Sequence, residues 1–367
     1  MTTGKCGEAR ANSLLENVTA LLSPASLTTL AGVPITWVRE EPLGTQESAY
    51  SGSHISAVQT DAGRFILKRV SRAWDYFMRV TDDRDGREAR IWTRGLLNRL
   101  PPQLGHPYLA CARDGDDAWA ILMRDVSASL LPRGPIALAD HHLLLEALAA
   151  FHAAFWEYDA GTGFTTPRDH YHVIAPVAVA RDEELSGERG IMHEIVPDGW
   201  QRLVDLLDPA IGSAALAFTN DPTPLVASLD HYPRTLVHAD ARTANLGIER
   251  GVLGGRDRPL LIDWALAGVD SPLLDVIWYV AGAAARLPMS REESIAHYRH
   301  ALRERLGTRF DDVWWDPMLD LSLLGGLIRY GWIAARATTS RDPATREQAM
   351  ADLRWWEAAG RRGLARL

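Results

Sequence analysis

Lysine is almost missing from this chain. Of its 39 lysine and arginine residues only Lys5 and Lys68 are lysines, and Lys68 lies inside the apolar stretch RFILKRV, where a charged side chain needs a reason. Cysteine is as scarce. Cys6 and Cys111 form neither a metal-binding spacing nor a disulfide framework, which excludes the small disulfide-stapled secreted class and points to a reducing compartment. No segment reaches the ~20 consecutive apolar residues of a membrane span. The N-terminal MTTGKCGEARANSLLENVTALL has polar and acidic residues where a signal peptide would have its apolar run, so the expectation is a soluble, cytoplasmic protein. Positive charge is not in excess either. A formal net charge of -8 speaks against a nucleic-acid or anionic-membrane partner and mildly suits a cationic small substrate. Repeats, low-complexity tracts and heptad seams are also lacking, which excludes solenoids and coiled coils.

What remains is an ordinary globular composition over 367 residues, long enough for two or three domains. The first 35 residues or so read as one short helix and a linker. From Ile35 to Asp125 the runs ITWVRE, ISAVQT, RFILKRV and AWAILM read as strands, with one helix between them over roughly Asp85 to Asn98. From Ser127 onward helices dominate, interrupted by one hairpin, NLGIERGVLGGRDRPLLIDW. The expected fold class is α+β: a helical extension over 1–34, a small β-rich N-lobe over 35–125, and a larger, mainly helical C-lobe over 126–367.

Three clusters carry chemistry. In RFILKRV the two-residue period of a strand places Lys68 on one face with Ile66 and Val70, so the ammonium needs an anionic partner there. The following helix offers one: Glu88, Ile91, Trp92 and Leu96 recur at helical spacing, which puts Glu88 on the inward stripe. Buried charges are far less costly paired than alone, and we pair Lys68 with Glu88. The second cluster, LVHADARTANL, contains His238, Asp240, Arg242 and Asn245; the third, PLLIDWA, ends an apolar strand at Asp263. The hairpin brings Asn245 and Asp263 to its open end, where an amide oxygen and a carboxylate are hard ligands suited to magnesium. Asp240 is then a second carboxylate beside that metal, spare for proton chemistry.

H-x-D-x-x-x-x-N, a later strand ending in I-D-W, and an upstream strand lysine and helix glutamate together resemble the aminoglycoside phosphotransferase and choline kinase group of the protein-kinase-like superfamily. The pattern spans roughly Ile35 to Tyr279. The resemblance implies a bilobal protein-kinase-like fold with ATP between the lobes, Lys68 on its phosphates and Glu88 orienting Lys68. It implies magnesium on Asn245 and Asp263, with Asp240 accepting the proton of a substrate hydroxyl or aiming it at the γ-phosphate. Lysine suits that post as a compact point charge, where the planar fork of arginine would be misplaced. Gly52 and Ser53, in YSGSHIS, are the candidates for a small-residue loop over the phosphates. Backbone groups around Met123, Arg124 and Val126 are the candidates for the adenine edge.

The pattern also departs from the family. Many aminoglycoside kinases have Gly after the loop histidine and His two residues after the aspartate, where this chain has Ala239 and Arg242. Arg242 either stabilises charge on the transferred phosphate or pairs with a structural carboxylate. After Asp263 and Trp264 comes Ala265, where relatives often carry Glu or Gly. Only WALAGVDSPLL separates Asp263 from Asp275, too short for a peptide-carrying activation segment, so no protein substrate is expected. Asp275 is read as a prop for the loop and His152 as a satisfied core histidine. The aromatics Trp314, Trp315, Tyr330, Trp332, Trp355 and Trp356 are read first as packing, and the acidic RDEELSGE as a solvated helix end. The expected activity is transfer of the γ-phosphate of ATP to a hydroxyl of a small molecule; the runner-up is a non-catalytic nucleotide-binding module.

Overall fold

A computed structural model describes residues 12–43 and 51–367. Its N-terminal region is built on a six-stranded sheet, in the order β1-β5-β6-β4-β3-β2. The strands are β1 (Leu14–Leu15), β2 (Val38–Pro42), β3 (His54–Thr60), β4 (Gly63–Ser71), β5 (Tyr108–Arg113) and β6 (Ala118–Arg124). All neighbours are antiparallel except the short parallel pair β1–β5. The two-residue period of the strands sorts the core into two layers. Phe65 and Leu67 of β4, with Ala120 and Leu122 of β6, pack with Leu21, Leu27 and Ile35 on one side. Val70, Trp119, Ile121 and Met123 face the other side, toward Ile91 and the large C-terminal core.

Two helices, Val18–Leu21 and Pro24–Ala31, stand where the sequence suggested one short helix and a linker. Ser23 accepts the backbone N–H of Ser26 and Pro24 occupies the first turn, a start signal that restarts the helix after Leu22. The expected helix over Asp85–Asn98 is shorter, Arg87–Thr93, because the chain turns at Gly95 (φ 63°) before a 3₁₀ turn at Leu97–Arg99. A further helix, Tyr76–Val80, and strand β5 were not anticipated.

Beyond Arg124 the chain is mainly helical, as expected for an α+β architecture. Its longest elements are Asp312–Ala337 and Pro343–Leu364, which pack against each other. The expected hairpin is present as β8 (Leu246–Leu253) and β9 (Arg256–Leu261), alongside the small pair β7 (Thr235–Val237) and β10 (Gly268–Asp270). Among the described residues no helix is long and apolar enough to cross a membrane.

Candidate active site

Lys68 lies in β4 at the middle of the sheet, in register with Ile55 of β3 and Ile121 of β6, so its backbone is fixed from both sides. Its side chain is buried, and the ammonium donates to Glu88 Oε2 at 2.7 Å and to Asp263 Oδ1 at 2.7 Å. The Lys68–Glu88 pairing inferred from the two faces is therefore observed. Asp263, 195 residues away, is a second partner that the sequence did not suggest. Burial works to neutralise the lysine, but the charges of Asp263 and Glu88 outweigh it and hold its pKa well above the ordinary value. Burial likewise opposes charge on Asp263, and the nearby Lys68 ammonium reverses this, holding the carboxyl below its usual range. The Tyr108 hydroxyl donates to the other oxygen of Glu88 and accepts the Trp264 backbone N–H at 3.3 Å.

Glu88 owes its place to a tight helix start. Gly86 has φ 69°, and a Cβ there would meet the Trp119 ring at 2.5 Å, so only glycine lets the helix enter this close to the sheet. From the same helix, buried Arg87 donates to the carbonyl of Ala265, tying the element that carries Glu88 to the segment that follows Asp263.

The loop after β7 is held from beneath. The Asp275 carboxylate accepts the N–H groups of His238 at 2.8 Å and Ala239 at 2.7 Å, with His152 Nε2 at 3.1 Å. His152 also bonds the Tyr298 hydroxyl at 2.6 Å, the satisfied core histidine that was expected. Burial acts against the Asp275 charge, but these partners lower its pKa all the same. Ala239 is held at φ 62°, a costly conformation for a residue with a Cβ, and Arg329 fixes it further by donating to its carbonyl at 2.5 Å. His238 Nδ1 accepts the Asp240 N–H at 3.2 Å, which leaves Nε2–H to donate to the Ile262 carbonyl at 2.9 Å.

This support aims Asp240. Its Oδ1 accepts the indole N–H of Trp278 at 2.8 Å and its Oδ2 the amide N–H of Asn245 at 2.7 Å. Trp278 in turn stacks flat on Tyr330, with centroids 3.8 Å apart. Arg242 Nε lies 3.4 Å from Asp240 Oδ2, which sets its positive charge beside a carboxylate of the site. Asn245 closes a 3₁₀ turn at the head of β8, and its carbonyl accepts the Ile262 N–H at 3.1 Å; the residue after Ile262 is Asp263, itself at φ 65°. The hairpin thus brings Asn245 and Asp263 to the same end.

The remaining candidates are placed as follows. Gly52 has φ 86° and lies where a Cβ would meet the Trp74 carbonyl at 2.5 Å. Ser53 is buried and donates to Asp75 at 2.7 Å, while the Ser51 carbonyl accepts the Tyr76 N–H at 2.7 Å. The stretch is thus clamped to the turn after β4, and Tyr50, its first residue, lies outside the described residues. Met123 and Arg124 end β6. The Arg124 N–H bonds the Pro107 carbonyl at 2.8 Å, and its guanidinium reaches Glu249 of β8 at 2.7 Å. The Val126 carbonyl accepts the Ser129 N–H at 2.8 Å.

Asp240 also lines a cavity of about 340 Å³. Its wall includes Trp278, Tyr330 and Trp332, so two of the aromatics read first as packing border it; Trp315 and Trp356 are core residues. The acidic RDEELSGE does not reach it. Asp182 of that stretch is buried, held by Arg79 at 2.7 Å and by His193 at 3.1 Å.

No family model matches the chain, and no curated protein matches it. Solved structures that resemble it are small-molecule kinases. A choline kinase from Streptococcus pneumoniae is 12% identical with a TM-score of 0.49, over 94% of this chain and 100% of that one. An ethanolamine kinase from Plasmodium vivax is 11% identical with a TM-score of 0.47, over 87% and 82%. An amicoumacin kinase solved with AMP-PNP and Ca2+ is 14% identical with a TM-score of 0.46, over 93% and 95%. At such identities and TM-scores the likeness carries nothing about substrate, and the chemistry rests on the site.

Proposed function

We propose that this protein transfers the γ-phosphate of ATP to a hydroxyl of a small molecule. The observation that carries this is one buried ammonium, Lys68, joined to carboxylates from two distant parts of the chain, Glu88 and Asp263, with a third carboxylate, Asp240, fixed at the wall of a cavity. In this reading Lys68 serves the nucleotide phosphates, Glu88 holds Lys68 in place, Gly52 and Ser53 border the phosphates, and the Met123–Val126 backbone meets the base.

The donors left at the hairpin end suit a magnesium ion. Asn245 spends its amide N–H on Asp240 and Asp263 spends one oxygen on Lys68, leaving an amide oxygen and a carboxylate oxygen, both hard ligands. When bound, the ion would neutralise phosphate charge. Asp240 accepts the proton of the acceptor hydroxyl as its oxygen bonds to the γ-phosphorus and the bond to the β-phosphate oxygen breaks, releasing ADP. Trp278 and Asn245 fix Asp240 for that task, and Arg242 places positive charge next to it.

The test is Asp240→Asn, assayed with Mg-ATP against a panel of hydroxyl compounds by mass spectrometry. The wild-type protein should yield a phosphomonoester and the variant none, with nucleotide binding retained in both. A variant as active as wild type removes Asp240 from the reaction, and absence of nucleotide binding in either protein removes the kinase reading.

A further inference from the structure

The wall of the cavity beside Asp240 carries information on the acceptor, if the kinase reading holds. Much of its apolar part comes from three separate helices. Phe77 enters from Tyr76–Val80 of the N-terminal region, Met192 and Ile195 from Ile191–Leu206, and Trp332 and Ile333 from Asp312–Ala337. Phe77 and Ile195 are half-buried and Ile333 is 39% exposed, so these side chains keep free surface. Phe77 is also held in place from both sides. Tyr76 donates its hydroxyl to the Val173 carbonyl at 2.8 Å and Arg79 pairs with Asp182 at 2.7 Å, which fastens this short helix onto the C-terminal region.

The charged groups of the wall are already engaged. Asp240, the one carboxylate in the lining among the described residues, accepts from Trp278 and Asn245 and lies beside Arg242. Arg336 pairs with Asp198 at 3.3 Å, and Arg329 is buried with a guanidinium N–H on the Ala239 carbonyl. A charged group on a ligand would leave water for this wall and meet only partners that are already spent, a cost that an apolar body does not carry. Apolar surface gains instead from being removed from water against Phe77, Ile195 and Ile333. The volume, about 340 Å³, is at the small end for ligand sites, enough for a compact molecule and tight for a linked polysugar.

We propose that the acceptor is a compact, uncharged alcohol whose apolar body packs against Phe77, Ile195 and Ile333 with its hydroxyl toward Asp240, and that amines are disfavoured. This deepens the kinase reading, on which it rests, and replaces the lean toward a cationic substrate that net charge alone suggested. The -8 belongs to the whole chain, whereas the described lining of this cavity has one carboxylate, already engaged.

The test uses matched probes on the full chain with Mg-ADP present: hexan-1-ol, 6-aminohexan-1-ol, which adds an ammonium to the same chain, and kanamycin as a polyamine. A ligand-observed NMR titration should show hexanol binding at least about tenfold more tightly than either amine. Phe77→Ala should weaken hexanol several-fold. Ile333→Ser, at an exposed position where the fold is not at stake, should weaken it as well while leaving nucleotide affinity unchanged. Equal or reversed preference, no binding of hexanol, or unchanged hexanol affinity in either variant overturns the proposal. A nucleotide titration of the wild-type protein separates the two claims. Absence of nucleotide binding strikes the kinase reading, whereas nucleotide binding with amine preference strikes only the acceptor class.

Discussion

Replacing Lys68 by methionine tests the electrostatics of the Lys68–Glu88–Asp263 cluster without any substrate. Methionine keeps most of the volume and removes the ammonium that bonds Glu88 and Asp263 at 2.7 Å each. The Glu88 side chain is 2% exposed, so water cannot replace the lost partner; Asp263, at 34%, can be partly rehydrated. Removing one member of such a buried pair typically costs about 3–5 kcal/mol, and most of that here is the stranded Glu88. The variant should therefore unfold at lower urea than wild type at neutral pH. Its deficit should shrink as pH falls, because a carboxylate without its cation takes up a proton more readily. Adding Glu88→Gln, which still accepts the Tyr108 hydroxyl, should recover about 2 kcal/mol. Urea unfolding followed by circular dichroism at two pH values reads all three effects. A single variant as stable as wild type, or a double variant less stable than the single one, would refute the claim that Lys68 is a desolvated, doubly paired charge.

Trp278→Phe removes the indole donor to Asp240 while leaving a ring to stack on Tyr330; it should lower kcat/KM for transfer by about 10- to 100-fold, and wild-type kinetics would mean the indole does not position the carboxylate. Gly52→Ala places a Cβ 2.5 Å from the Trp74 carbonyl at φ 86°, so its melting temperature should fall by an amount equivalent to about 1–3 kcal/mol, and an unchanged value would deny the close approach. His141 is held by Tyr279 and Ser294 at 2.9 Å each, and burial lowers its pKa from 6.5 to about 4. The unfolded chain then binds the proton more readily than the folded one, so this histidine's contribution is complete above pH 6.5 and declines as pH falls toward 4. The loss should reach at most about 2 kcal/mol by about pH 5, and His141→Gln should flatten the urea-midpoint slope over that interval; an unaltered slope would refute it.

What the sequence made legible was local or periodic. The strand period put Lys68 on a face needing an anion and the helix period turned Glu88 inward, so their contact followed from two short segments. Asn245 and Asp263 were legible because one hairpin joins them. The second partner of Lys68 was not, since Asp263 arrives from 195 residues away and only the packing of the lobes decides that contact. Trp278 was hidden for a related reason: a tryptophan in the apolar helix Leu273–Gly282 looks like core until the loop carrying Asp240 is docked on it. Strand β5, with Ala110, Cys111 and Ala112, lacks the β-branched residues that mark a strand, and pairing with β6 overrides that weak propensity. Tyr330 and Trp332 were named but read as packing, because helical spacing alone does not show which residues of a buried helix border a cavity.

The most direct measurement is calorimetric titration of the protein with ATP, with and without magnesium, beside Asp263→Asn. Asparagine tolerates the left-handed backbone at that position and removes the charge while keeping the shape. Wild-type protein should bind ATP more tightly with magnesium, and the variant should lose that enhancement. Magnesium-independent binding that the substitution leaves unchanged, or no binding at all, would contradict a nucleotide and metal site built on Lys68, Asn245 and Asp263.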